Sequence, residues 1–175
     1  PALSSAASDV YKRQSDDGSC VYIDNFSIQE IQAGGLGGQM QTQGIVTATY
    51  PPTNGLAGQA SYVIQDGTGP NSAIWVIGEG VAVGDEVSVL GNVTEVYGLR
   101  QIQAATPEVQ SSGNALPAAE MLATTAINDE QWECVLLSMT GECTNADAGY
   151  GEWHLNDGSG IGVIDAVSYT HLTLP

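Results

Sequence analysis

From residue 41 onward, short runs of alternating apolar and polar residues are separated by glycine-rich turns. Residues 41–50 (QTQGIVTATY) form the first expected strand, with Gly44 inside it as a bend or bulge. Pro51-Pro52-Thr53-Asn54-Gly55 then breaks the run into a loop. Residues 60–65 (ASYVIQ) follow, then the turn Asp66-Gly67-Thr68-Gly69-Pro70, then residues 73–77 (AIWVI). Val81-Ala82-Val83-Gly84-Asp85 leads into residues 86–97 (EVSVLGNVTEVY), kinked at Gly91, and residues 99–104 (LRQIQA) come after Gly98. Five strands, glycine bends in the first and fourth, and no helical period predict a small closed or partly open barrel.

The second half repeats this grammar. Residues 133–144 (ECVLLSMTGECT) read as another long first strand containing Gly141. Residues 151–155 (GEWHL) align with 59–64, placing Trp153 against Tyr62, and Asn156-Asp157-Gly158-Ser159-Gly160 aligns with Gln65-Asp66-Gly67-Thr68-Gly69. Residues 161–164 (IGVI) then match 73–77. Self-similarity on this scale predicts tandem copies of one unit, the second ending after its third strand. Ser111-Ser112-Gly113-Asn114 is a turn-rich junction, and residues 117–127 read as a short strand and one helical turn capped by Thr124 or Thr125.

Both ends carry a different signature. Residues 9–14 (DVYKRQ) are the literal translation of GAT GTG TAT AAG AGA CAG, and residues 167–172 (VSYTHL) read back as its reverse complement. The inverted pair resembles the transposase mosaic-end adapter used to fragment DNA. Residues 1–14 and 167–175 are therefore expected to be adapter-derived read-through, with 15–166 as the native part. Setting aside Asp9, Lys12 and Arg13 takes the 20 acidic and 3 basic residues to 19 and one, a net charge of −18 with Arg100 as the sole cation. Nucleic-acid affinity rests on Lys and Arg neutralising phosphates, so this balance argues against such a ligand. It suits a protein kept soluble by self-repulsion, or one that binds divalent cations. No apolar run approaches the roughly 20 residues needed to span a bilayer, so no membrane partner is expected.

A resemblance is carried by Gln43-Gly44-Ile45-Val46-Thr47, then Tyr62-Val63-Ile64-Gln65-Asp66-Gly67-Thr68-Gly69, then residues 83–91 (VGDEVSVLG), then Tyr97-Gly98-Leu99 with Gln101-Ile102. These strings resemble the OB-fold-like modules of secreted bacterial proteins, which commonly precede the catalytic domain of extracellular nucleases of the endonuclease/exonuclease/phosphatase superfamily. Residues 124–133 with 149–160 resemble the next module of the same array, and Asp16-Asp17-Gly18-Ser19-Cys20-Val21-Tyr22 resembles the end of an acidic cysteine-containing repeat. The organisation this implies is a repeat tail or linker over 15–25, an OB-like barrel over 26–110 and a truncated second OB-like module over 111–166. It implies a secreted or cell-surface location, no enzymatic activity in the fragment, and as partners single-stranded nucleic acid and a catalytic domain missing from the fragment.

The candidate chemistry is sparse. Aromatic side chains on OB barrels stack bases or sugars, which nominates Tyr62, Trp75, Tyr97, Tyr150 and Trp153, with Arg100 as a phosphate contact. Adjacent strand residues face opposite sides, so some of these must belong to the core. The DGTG and DGSG strings read as hairpin turns, and calcium bound at their carboxylates is the alternative, short of the six or more oxygens calcium takes. No other cofactor is expected. His154 has neither a second histidine nor a nucleophile to work with. Cys134 and Cys143 lie about 30 Å apart on a straight strand, at roughly 3.3 Å per residue, unless the chain folds sharply at Met139-Thr140-Gly141. A disulfide between them and two separate thiols both remain open. The resulting expectation is an all-β, non-catalytic accessory module that positions nucleic acid for a nuclease domain. Its rival is a structural or adhesive spacer, cation-stabilised, that binds no nucleic acid.

Overall fold

A computed structural model describes residues 11–14, 20–35, 38–52, 58–104 and 107–165. Two short strands, β1 (Tyr11–Gln14) and β2 (Cys20–Ile23), pair antiparallel. They lead to α1 (Ile28–Gln32), a helix too short to leave a 3.6-residue period in the sequence. Its signal is local: Ser27 accepts from the Glu30 amide while the Glu30 carboxylate accepts from the Ser27 amide, a reciprocal capping box. The sequence pattern places no helix ahead of residue 41, and α1 is an addition to it.

Five strands then close a barrel. They are β3 (Gly38–Tyr50), β4 (Ser61–Gln65), β5 (Ala73–Ile77), β6 (Glu86–Val96) and β7 (Leu99–Ala104). Their order is β3-β4-β5-β7-β6, closed by pairing of β6 back onto β3, with β5 and β7 parallel and the other pairs antiparallel. This is the strand order of an OB fold, and the all-β, OB-like expectation holds. A further strand, β8 (Glu108–Ser111), extends the sheet from β6.

The two glycine bends explain how so few strands close. β3 pairs with β6 up to Ile45 and with β4 from Ile45 onward, so it serves two neighbours in succession. At Gly44 a Cβ would lie 2.9 Å from the Gln65 carbonyl oxygen, so only glycine lets β4 approach. Gly91 does the same for β6, where a Cβ would lie 2.6 Å from Ile102 Cγ2. Inside, alternate residues of the strands supply Met40, Val46, Tyr62, Ile64, Ile74, Val76, Val87, Val89 and Ile102 to one core. α1 adds Ile28 and Ile31, both fully buried in the same cluster.

The second half is thinner. β9 (Glu120–Met121) pairs in parallel with β10 (Leu137–Ser138), and between them lie 3₁₀ turns at Thr124–Asn128 and Glu130–Trp132. β11 (Glu142–Gly149), β12 (Glu152–Asn156) and β13 (Ile161–Asp165) form an antiparallel meander. The single long strand expected over 133–144 is not formed. Cys134 takes a positive φ of 64° and breaks the run, so only the short β10 lies ahead of Gly141 and β11 begins at Glu142. The expected threonine cap is also absent, because Ala123 occupies the cap position. Of the large apolar side chains described after residue 111, only Val135 and Leu155 are buried, and Val135 packs on the barrel.

Candidate functional site

An OB barrel presents ligands to the outer face of its second and third strands, here β4 and β5. Registers place Ala48, Val63, Trp75 and Gln101 side by side on that face. Tyr50 stacks on Trp75, with ring centroids 4.6 Å apart and planes 23° apart. Trp75 therefore lies on the outer face, stacked on Tyr50, and the chain covers it. Val135, with Trp132, Cys134 and Leu137, packs against Val63, Ala73 and Trp75. The Leu136 amide donates to Gln65 Oε1 at 3.0 Å, and the Asn71 amide donates to the Gln131 carbonyl at 2.7 Å, tying both ends of the covering segment down. A groove of about 330 Å³ remains between Thr47, Trp75 and Leu136. Trp75 Nε1 is buried without a hydrogen-bond partner among the described residues.

The other nominated residues scatter. Tyr62 is 1% exposed because it sits on the inward side of β4, so it packs the core and offers no face for stacking. Burial raises its phenol well above the ordinary range. Tyr97 is fully exposed at the tip of the β6–β7 hairpin, where it and Gly98 take the two positive φ values a type I′ turn requires. Trp153 is half-buried on β12 opposite Ile164, its Nε1 likewise without a partner among the described residues.

Arg100 is not a free phosphate contact. Its Nη1 donates to the carbonyls of Ile31 at 3.1 Å and Gln32 at 2.7 Å, and its Nη2 pairs with Glu95 at 3.1 Å. A cation at a helix C-terminus satisfies orphan carbonyls and complements the helix dipole. Gly34 makes room for it, since a Cβ there would stand 3.2 Å from Nη1. Sequence reasoning could not find this role, because the partners are backbone carbonyls 69 and 68 positions away.

The two aspartate turns act as turns. Asp66 Oδ2 accepts the Ile28 amide at 2.8 Å, holding the start of α1. Burial raises its carboxyl, and the hydrogen bond from the Ile28 amide opposes that. Asp157 accepts from the Ser159 amide at 2.8 Å and from the Thr124 hydroxyl at 2.9 Å, and the Thr124 amide reaches its Oδ2 at 3.2 Å. These bonds, those from Ser159 first, hold its carboxyl far below the usual range. Among the described residues no cluster of three or more His, Cys, Asp or Glu could hold a metal ion. Cys134 and Cys143 are free thiols, so of the two alternatives the disulfide is the one not formed. Burial, then Glu133, pushes the Cys134 thiol up to about 12. His154 sits on β12 between Val163 and Asn145.

A cleft of about 610 Å³ lies beside the covered face between the β6–β7 hairpin and the 3₁₀ turns, and Glu95, Arg100, Asp129, Glu130 and Glu133 line it. Among the described residues no helix is long and apolar enough to cross a membrane. No protein-family model matches the chain, and no curated protein sequence does. Among solved structures, the hypothetical protein ygiW from E. coli is similar at 16% identity over 50% of this chain and 88% of that one, with a TM-score of 0.36.

Proposed function

We propose that this chain is a non-catalytic, OB-like accessory segment of a larger secreted bacterial protein, acting as a structural spacer that binds no nucleic acid. One observation carries the reading: the barrel face on which single strands would stack is occupied by residues 132–137 of the same chain. Arg100, the only cation of 15–166, is committed to α1 and Glu95, so no phosphate contact is left.

A tandem array is supported by matching details in the two halves. Gly44 lies against the backbone of Gln65, whose neighbour Asp66 holds the start of α1. Gly141 lies against the backbone of Asn156, whose neighbour Asp157 holds the start of the Thr124–Asn128 turn. The positioning of nucleic acid for a nuclease domain is the second reading, and the Tyr50–Trp75 stack is what favours it.

Fluorescence anisotropy of labelled single-stranded DNA, titrated with the full chain at low salt, separates the two. The spacer reading expects no binding where electrostatic attraction is greatest. Binding that weakens with salt and is lost in Trp75→Ala would establish the other reading. Calcium belongs in a parallel titration: a cation-stabilised spacer gains thermal stability from it, and an unassisted one does not.

A further inference from the structure

Residues 132–137 close the aromatic face at a cost. Trp75 Nε1, which lies beside the covering segment, has no hydrogen-bond partner among the described residues, and neither do Gln101 Oε1 and Thr94 Oγ1, its neighbours in register on β7 and β6. An unpartnered buried polar atom opposes whatever contact buries it. Against that stands a small apolar seam, in which Val135 is the only deeply buried side chain of the covering segment.

The cleft beside the seam adds a second opposing force. Glu95 faces it from β6, and Asp129, Glu130 and Glu133 from the covering side. Arg100 is its only cation among the described residues, and that charge is shared between two carbonyls and Glu95. Seating the segment thus brings like charges together across a cleft of about 610 Å³.

We propose that residues 129–137 are a displaceable strap over the Tyr50–Trp75 face, tightened by mild acid or salt and loosened at neutral pH and low ionic strength. The proposal goes beyond the spacer reading and does not depend on what, if anything, the face binds. Closure pushes the Glu133 carboxyl above its ordinary range, through burial first and then through Glu130 and Glu95. A carboxyl raised in the closed state holds its proton to higher pH there than in the open state. The strap therefore gains hold as pH falls from neutral toward the ordinary carboxylate value of about 4.3, and loses it as pH rises. The other ionisable groups around Glu133 are Asp129, Arg100, the Cys134 thiol and the Tyr50 phenol. Burial keeps the last two neutral through this window. Salt acts on the same repulsion, since screening shortens from roughly 30 Å at 0.01 M to about 8 Å at 0.15 M.

The test is amide exchange on the full chain, read as protection factors corrected for intrinsic rates. The Leu136 and Asn71 amides, which bond to Gln65 and Gln131, report the strap, and the Ile64 amide in the core is the reference. At low salt, protection of Leu136 and Asn71 relative to Ile64 is expected to rise at least about twofold from about pH 7.5 to about pH 4.5, because the carboxyl holds its proton more tightly in the closed state. Glu133→Gln is expected to give the acid level already at neutral pH and to abolish the step. Glu130→Gln is expected to reduce the step. Equal protection at both pH values, or an undiminished step in Glu133→Gln, overturns the proposal.

Discussion

Replacing Arg100 by methionine keeps most of the side-chain stem and removes the charge. What is lost is a donor to two carbonyls at the end of α1 and an ion pair with Glu95. The ion pair contributes little, because the Glu95 side chain is 55% exposed and such pairs are worth about 0–1 kcal/mol. The carbonyl bonds matter more. They are charge-assisted, the Arg100 side chain is only 24% exposed, and a hydrogen bond to a charged group contributes about 1.5–3 kcal/mol. Retained stem packing offsets part of this, so the expected cost is about 2 kcal/mol. Urea unfolding followed by tryptophan fluorescence reads it: with slopes of about 1–3 kcal/mol/M for small proteins, the midpoint falls by about 1 M. The loss has a ceiling as well. If α1 undocks altogether, Ile28 and Ile31 leave the core, at about 1.5–3 kcal/mol each. An unchanged midpoint, with undiminished exchange protection of the Ala33 amide that closes α1, would refute the clamp and return Arg100 to the pool of available cations.

Other substitutions test single links of the same account. Tyr62→Phe removes a buried hydroxyl with no partner among the described residues, so stability is expected to hold or to rise by up to about 1 kcal/mol in the same urea assay. A loss above that size would mean the phenol is hydrogen-bonded. Gly44→Ala and Gly141→Ala both drive a methyl into backbone, that of Gln65 and of Asn156, and each is expected to cost about 1–3 kcal/mol. Equal tolerance of alanine at both sites in thermal melts would remove the steric argument for the two bends.

How much of this was legible follows from where each signal lies. The barrel strands announce themselves because alternation and glycine bends are local, and Ala73–Ile77 and Leu99–Ala104 fall where the pattern puts them. The start of α1 was legible only in Ser27 and Glu30, which specify a cap and say nothing of where the helix docks. The apolar run after Glu133 has the composition of a strand, yet the positive φ at Cys134 diverts it onto the barrel, and no composition encodes that. The aromatic candidates show the same limit. Alternation requires that some of them point inward, but which side of β4 is inside depends on register with β3 and β5. Arg100 looked available because its partners carry no side-chain signature, being main-chain oxygens of a helix five residues long.

The central claim is that the barrel's outer aromatic face is closed by its own chain, and the Trp75 indole reports on it most directly. Its Nε1–H resonance, assigned with Trp75→Phe, is to be followed by hydrogen exchange in the full chain in mildly acidic buffer with moderate salt, where the covering segment is held most firmly. The account expects exchange much slower than that of a free indole, since Nε1 is buried beneath the Tyr50 stack and the covering segment. Exchange at the free-indole rate, with the resonance shifting on addition of single-stranded DNA, would contradict it.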